Sequence, residues 1–183
     1  QGSFQVKLPG DLQLGADLVT LRLNETGSDY TGETIQAAGV SYNFTALAAS
    51  TSLKELTVDN AALNVAGFVG VTGNFAIRSE IDAVEVDGSM VAVDALTIGA
   101  SGVTAFAGYN GGTVNAIGLD LDGVDFAVGI FSESGGNRSW TTLQGDVGSV
   151  AVVGVPGLTL AVTDFGLEVN LAAGDGSVVD YSA

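Results

Sequence analysis

Pro156-Gly-Leu-Thr-Leu-Ala-Val-Thr-Asp-Phe-Gly-Leu-Glu-Val-Asn170 restates, near the end of the chain, what Pro9-Gly-Asp-Leu-Gln-Leu-Gly-Ala-Asp-Leu-Val-Thr-Leu-Arg-Leu-Asn24 says near its beginning. The shared skeleton is Pro-Gly, Leu-x-Leu, then Leu-x-(Leu/Val)-Asn. A second match follows each copy: Gly39-Val-Ser-Tyr-Asn-Phe-Thr-Ala46 against Gly176-Ser-Val-Val-Asp-Tyr-Ser-Ala183. Self-similarity at a fixed period is the mark of an array protein. Three units follow. Gln1-Gly-Ser3 reads as the remnant of a cleavable tag. Residues 4–46 read as the closing strands of a preceding repeat, and 47–183 as one full repeat packed with them into one continuous module. Between the two matches, Asn24 to Gly39 is 15 positions and Asn170 to Gly176 is 6. The nine extra residues put a surface insertion at Glu25–Glu33, since repeats keep strands and vary loops.

Working outward, the dominant period is two. Leu18-Val-Thr-Leu-Arg-Leu23, Ala83-Val-Glu-Val86, Leu119-Asp-Leu121 and Leu167-Glu-Val-Asn-Leu171 alternate as half-buried strands do. Val150–Val155 and Val124–Phe131 are apolar at successive positions, the pattern of strands covered on both faces. Asp87-Gly88 and Asp122-Gly123 each divide two strand runs, which predicts hairpin turns, as Gly and Asp accept positive φ. Asn110-Gly-Gly112 and Ser134-Gly-Gly-Asn137 predict further turns. Only Asn43–Leu56 offers a short helical turn. The rhythm predicts roughly 13 to 16 strands at spacings of about 8 to 12 residues. Small residues fill Val91–Gly99 and Gly102–Gly108, which fits closely spaced sheets or a narrow closed tube. The expected fold is all-β: an elongated antiparallel β-meander, either solenoid-like or an elongated barrel or sandwich.

Composition narrows the chemistry. There is no Cys and no His, so neither a thiolate or imidazole metal site nor a Ser-His-Asp triad can be built. Five basic against 21 acidic residues give −16. Such a surface repels nucleic acid and anionic membranes and attracts cations. No apolar run approaches the roughly 20 residues of a membrane-spanning helix. Gly108-Tyr-Asn-Gly-Gly112 lacks the Lys and helix of a phosphate loop.

The run Ala116-Ile-Gly-Leu-Asp-Leu-Asp-Gly-Val-Asp-Phe-Ala-Val-Gly-Ile-Phe131, with Arg138-Ser-Trp-Thr-Thr-Leu143, Gly148-Ser-Val-Ala-Val-Val-Gly154, Gly157-Leu-Thr-Leu160 and Glu168-Val-Asn170, resembles the tandem modules of very long bacterial surface or secreted proteins. These are adhesin-like chains that often carry haemolysin-type calcium repeats. The resemblance covers most of residues 60–183 and again 9–77, and the Gly-Gly-x-Gly-x-Asp calcium nonapeptide is absent. It implies a non-enzymatic spacer at the bacterial cell surface or outside the cell, with neighbouring repeats as partners and a glycan or cell-surface ligand as a further one.

Four features offer chemistry. Asp120, Asp122 and Asp125 would meet at one hairpin end, where three carboxylates suit Ca²⁺, an oxygen-seeking ion; the plain alternative is a solvated turn. A glycosidase pair from Asp120 and Asp122 lacks a visible cleft. Glu80, Asp82, Glu85 and Asp87 read as a solvated face. Trp140, the single Trp, is either a sugar-stacking platform or a core anchor, with Arg138 beside it paired to an acid.

Overall fold

The computed structural model describes residues 2–8 and 12–181. Pro9 and Gly10, which open the first copy, and Ser182 and Ala183, which close the second, lie outside the described residues, as does Gln1. The fold is all-β and antiparallel. Ten strands are described: β1 (Gly2–Leu8), β2 (Leu12–Asn24), β3 (Thr34–Ala37), β4 (Val40–Asn43), β5 (Leu53–Val65), β6 (Val69–Val86), β7 (Ser89–Tyr109), β8 (Ile117–Glu133), β9 (Ser139–Val153) and β10 (Ala161–Leu171). Eight form one sheet in the order β1-β2-β5-β6-β7-β8-β9-β10, and β3-β4 is a separate hairpin. The sheet is therefore a meander, as the turn signals predict. It is open, with β1 and β10 at its edges, and the closed tube is not found. Gly2 and Ser3, set aside from the sequence as tag, belong to β1. No helix forms within 43–56, where Ser50 Oγ instead accepts the N–H of Leu53 as the chain enters β5.

Strands are fewer and longer than the sequence rhythm predicts, reaching 21 residues in β7. Asp87-Gly88 is the β6–β7 turn, with φ of 51° and 74° and Val86 facing Ser89. Asp122-Gly123 is not a turn. It lies inside β8, where Gly123 (φ 65°) belongs to a line of bulges. Asn60 (φ 49°), Gly73 (154°), Gly102 (58°) and Asp164 (53°) continue that line on β5, β6, β7 and β10. Register breaks fall beside it, between Val58 and Ala61, Thr72 and Asn74, and Ala100 and Val103. A bulge bends its strand, so bulges at one level crease the whole sheet. Polar side chains satisfy the loosened backbone along the crease. Asn60 donates its N–H to Asn74 Oδ1 (2.9 Å) and its Nδ2–H to Asp17 (3.0 Å). Gly102 N–H donates to Asp125 Oδ1 (2.7 Å). A Cβ on Gly73 would sit 2.7 Å from Val103 Cγ2 and 2.9 Å from its Cα, so no other residue fits there without movement.

Alternation sorts the side chains onto two faces. One carries an unbroken aliphatic ladder, each member opposite the next: Leu21, Leu56, Ile77, Ile98, Val128, Leu143 and Val169. The other carries Arg22, Glu55, Arg78, Thr97, Gly129, Thr142 and Asn170 at the adjacent level. The sheet is a single layer over most of its width. The apolar run Val124–Phe131 is thus not covered on both sides: Ile130 is exposed while Phe131, pointing the other way, is buried. The core gathers where residues 172–181 fold back over the polar face. There Val86, Val93, Ala95, Phe131, Trp140, Ala173 and Val179 pack together.

Candidate functional site

The returning tail builds the most organised site in the molecule. Trp140, at the start of β9, is 1% exposed. Its indole N–H points at Ser177, with the carbonyl oxygen at 3.2 Å and Oγ at 3.3 Å. Ser177 is shaped by an Asx turn: Asp175 Oδ1 accepts its N–H (3.0 Å) and its hydroxyl (2.6 Å). Those two bonds favour the ionised form and hold the Asp175 carboxyl below the usual range. Arg138 lies 5.1 Å above the Trp140 ring and grips Glu133 with two bonds, at 2.9 and 2.7 Å. The hydrogen bonds from Arg138 also depress the Glu133 pKa. The tail then crosses to the β6–β7 end: Val179 bridges Val86, and Asp180 N–H donates to Glu85 O (2.8 Å). Asn170, closing β10, donates Nδ2–H to Val179 O (2.7 Å).

Beside this cap the polar face is hollowed into a groove of about 790 Å³. Ala76, Gly99, Ala127 and Gly129 are among its lining, and their small side chains leave the space open. Tyr181, fixed by its hydroxyl 2.8 Å from Thr142 Oγ1, borders it with Phe131. Gln144, Glu168 and Asn170 supply polar groups at one side, Glu55 and Arg78 at the other. Glu55 is bonded to Arg22, and Arg78 to Glu80 at 2.7 Å. Glu55 and Arg78 are thus each paired, and the groove offers the Glu168 carboxylate, hydrogen-bonding groups and an aromatic edge.

Asp120, Asp122 and Asp125 do not meet at a hairpin end. They lie within β8 on either side of the crease, facing Ala151, Ser149 and Asp146 of β9. Asp125 serves the Gly102 bulge, and Asp120 borders a smaller hollow with Asn64 and Phe106. Among the described residues no three His, Cys, Asp or Glu side chains converge closely enough to hold a metal ion. Trp140 is the core anchor and offers no face to a sugar. Of the acidic stretch, Glu80 pairs with Arg78 and Asp87 forms the turn. Asn24 and Asn170, at matched places in the sequence repeat, carry a role that residue chemistry alone misses. Like Asn170, Asn24 ties the end of its strand to the following segment, donating to the carbonyls of Ser28 (2.8 Å) and Ala48 (2.7 Å). Their recurrence was the available signal.

Fold and site define a class: an open, creased, single-layer antiparallel sheet with a tail-built cap. No protein-family model, curated protein or solved structure matches the chain.

Proposed function

We propose that the chain is a non-enzymatic spacer segment of a long, adhesin-like bacterial surface or secreted protein, whose copies join edge to edge into one continuous sheet. One observation carries the reading. Gln5 faces Gly15 across β1–β2, and 146 residues further on Ala151 faces Ala161 across β9–β10. The two hairpins thus share one register, the register in which Asn24 corresponds to Asn170. The far edge of β2 is taken by β5, with Leu21 opposite Leu56 and Asn24 opposite Leu53. The same edge of β10 ends the sheet. A strand like Leu53–Val65, early in the unit 47–183, fits that edge, and pairing it removes the hazard of an open edge. The net charge of −16 keeps such an array soluble and extended.

The test is a tandem chain in which a second copy of residues 47–183 follows Ala183. One cooperative transition, at a higher Tm than the single copy, with slowed amide exchange along β10, is the expected result. Two independent transitions at the single-copy midpoint would overturn the proposal.

A further inference from the structure

Among the described residues no layer covers the aliphatic face. Three adjacent levels of this face run across β2 and β5–β10, and the only charge among their positions is Lys54. Leu21 is 64% exposed and Ile77 43%. Leu23, Ile130, Leu167 and Leu171 are exposed too. A monomer rarely shows contiguous apolar area beyond a few hundred Å². Seven strands about 4.8 Å apart, carrying three levels about 6.6 Å apart, span on the order of 700 Å². That is close to the roughly 800 Å² per partner that a stable interface buries.

We propose that this face binds the same face of a second copy, so that two chains form a β-sandwich with the ladder at its centre. Charge selects the face, and its area and self-complementary shape suit a second copy. On the polar side at neighbouring levels stand Glu55, Asp59, Asp125, Asp146 and Glu168, so two copies with −16 each can approach closely only through their neutral faces. The same negative charge works against an anionic lipid surface. A patch that meets itself needs a two-fold axis, the commonest symmetry of soluble assemblies. Sheets packed this way lie about 10 Å apart at about 30°, leaving both grooves and both caps outside. The contact uses faces and leaves the strand edges free, so it stands or falls separately from the array.

The mass of the full 183-residue chain, by light scattering or sedimentation at about 100 μM and below, decides it. The wild type is expected at twice 18.3 kDa. Ile77→Asp puts a charge into the ladder and should weaken association about 100-fold or more. Thr97→Asp, on the opposite face, should leave it unchanged. Trp140 emission, from the far side of the sheet, shows whether each variant is folded, and Leu21→Asp at the exposed ladder end replaces Ile77→Asp if that variant fails to fold. A monomeric wild type overturns the proposal. So does a dimer that survives the folded ladder variant, since it must use the edges, and so does a monomer that sediments with phosphatidylcholine vesicles, since the face then belongs to lipid.

Discussion

Gly39–Asn43 and Gly176–Asp180 match in sequence and end in opposite surroundings. In the second, Ser177 is buried and Val179 is 3% exposed, seated against Val86 in the Trp140 core. In the first, the counterparts Val40 and Tyr42 are exposed, Tyr42 by 54%. There the nine-residue insertion is accompanied by β3, and β4 pairs with it across the Ala38-Gly39 turn. The tail has no such strand and takes its partners from β6 and β9. A short apolar segment is thus placed by whichever surface is within reach.

The sharpest way to break the contrast is to remove the anchor on each side. Trp140→Ala empties the centre of the core and leaves the tail nothing to cover. Large-to-small changes of this kind cost about 3 to 5 kcal/mol. Tyr42→Ala, on the exposed hairpin, should stay within about 0.5 kcal/mol of wild type. Urea unfolding followed by circular dichroism measures both. Equal losses would mean that the hairpin is as built-in as the cap.

The ion pairs sharpen it at a smaller scale. Arg138 makes a two-pronged contact with Glu133 and lies over an aromatic ring, while Lys54 meets Glu25 at 3.2 Å with both side chains largely in solvent. Arg138→Met should be the costlier of the two changes, since it removes both the two-pronged contact and the contact with the ring. Lys54→Met should cost about 0.3 kcal/mol or less, since an exposed pair gains little in water. A larger loss from Lys54→Met in the same unfolding measurement would invert the ranking of the two regions.

How much of this could be read in advance differs by feature. The all-β class, the meander and the Asp87-Gly88 turn were legible, since each rests on local alternation or local φ. Asp122-Gly123 carried the same dipeptide and misled, because a glycine at positive φ serves a bulge as well as a turn. What decides between them is the neighbouring strand, where Gly102 carries its own bulge, and that is not local. The length of the strands was hidden for the same reason. The groove was legible only as an excess of Gly and Ala. Its shape depends on β6, β7 and β8 being adjacent and on Tyr181 arriving from the tail. Trp140 was one of two readings, and burial under Ser177 chose.

Acid gives the finest comparison. Asp175 and Glu133 in the cap, and Asp29 in the insertion, where Thr31 donates its backbone N–H (2.7 Å), all have pKa values lowered by folding. A carboxyl with a lower pKa folded than unfolded binds its proton more readily in the unfolded chain. Its contribution is therefore complete above the unfolded value of about 4 and disappears as the pH falls through the folded value. Stability should be flat at neutral pH and decline below about pH 4. Asp175→Asn should make that decline shallower, because the cap it stabilises belongs to the cooperative core. Asp29→Asn should superimpose on wild type, because its turn lies in a loop that opens locally without unfolding the sheet. Urea midpoints at a series of pH values between about 5 and 2 read both variants. If Asp29→Asn flattened the curve as much as Asp175→Asn, the insertion would have to unfold with the core, and the division between the two matched segments would fall.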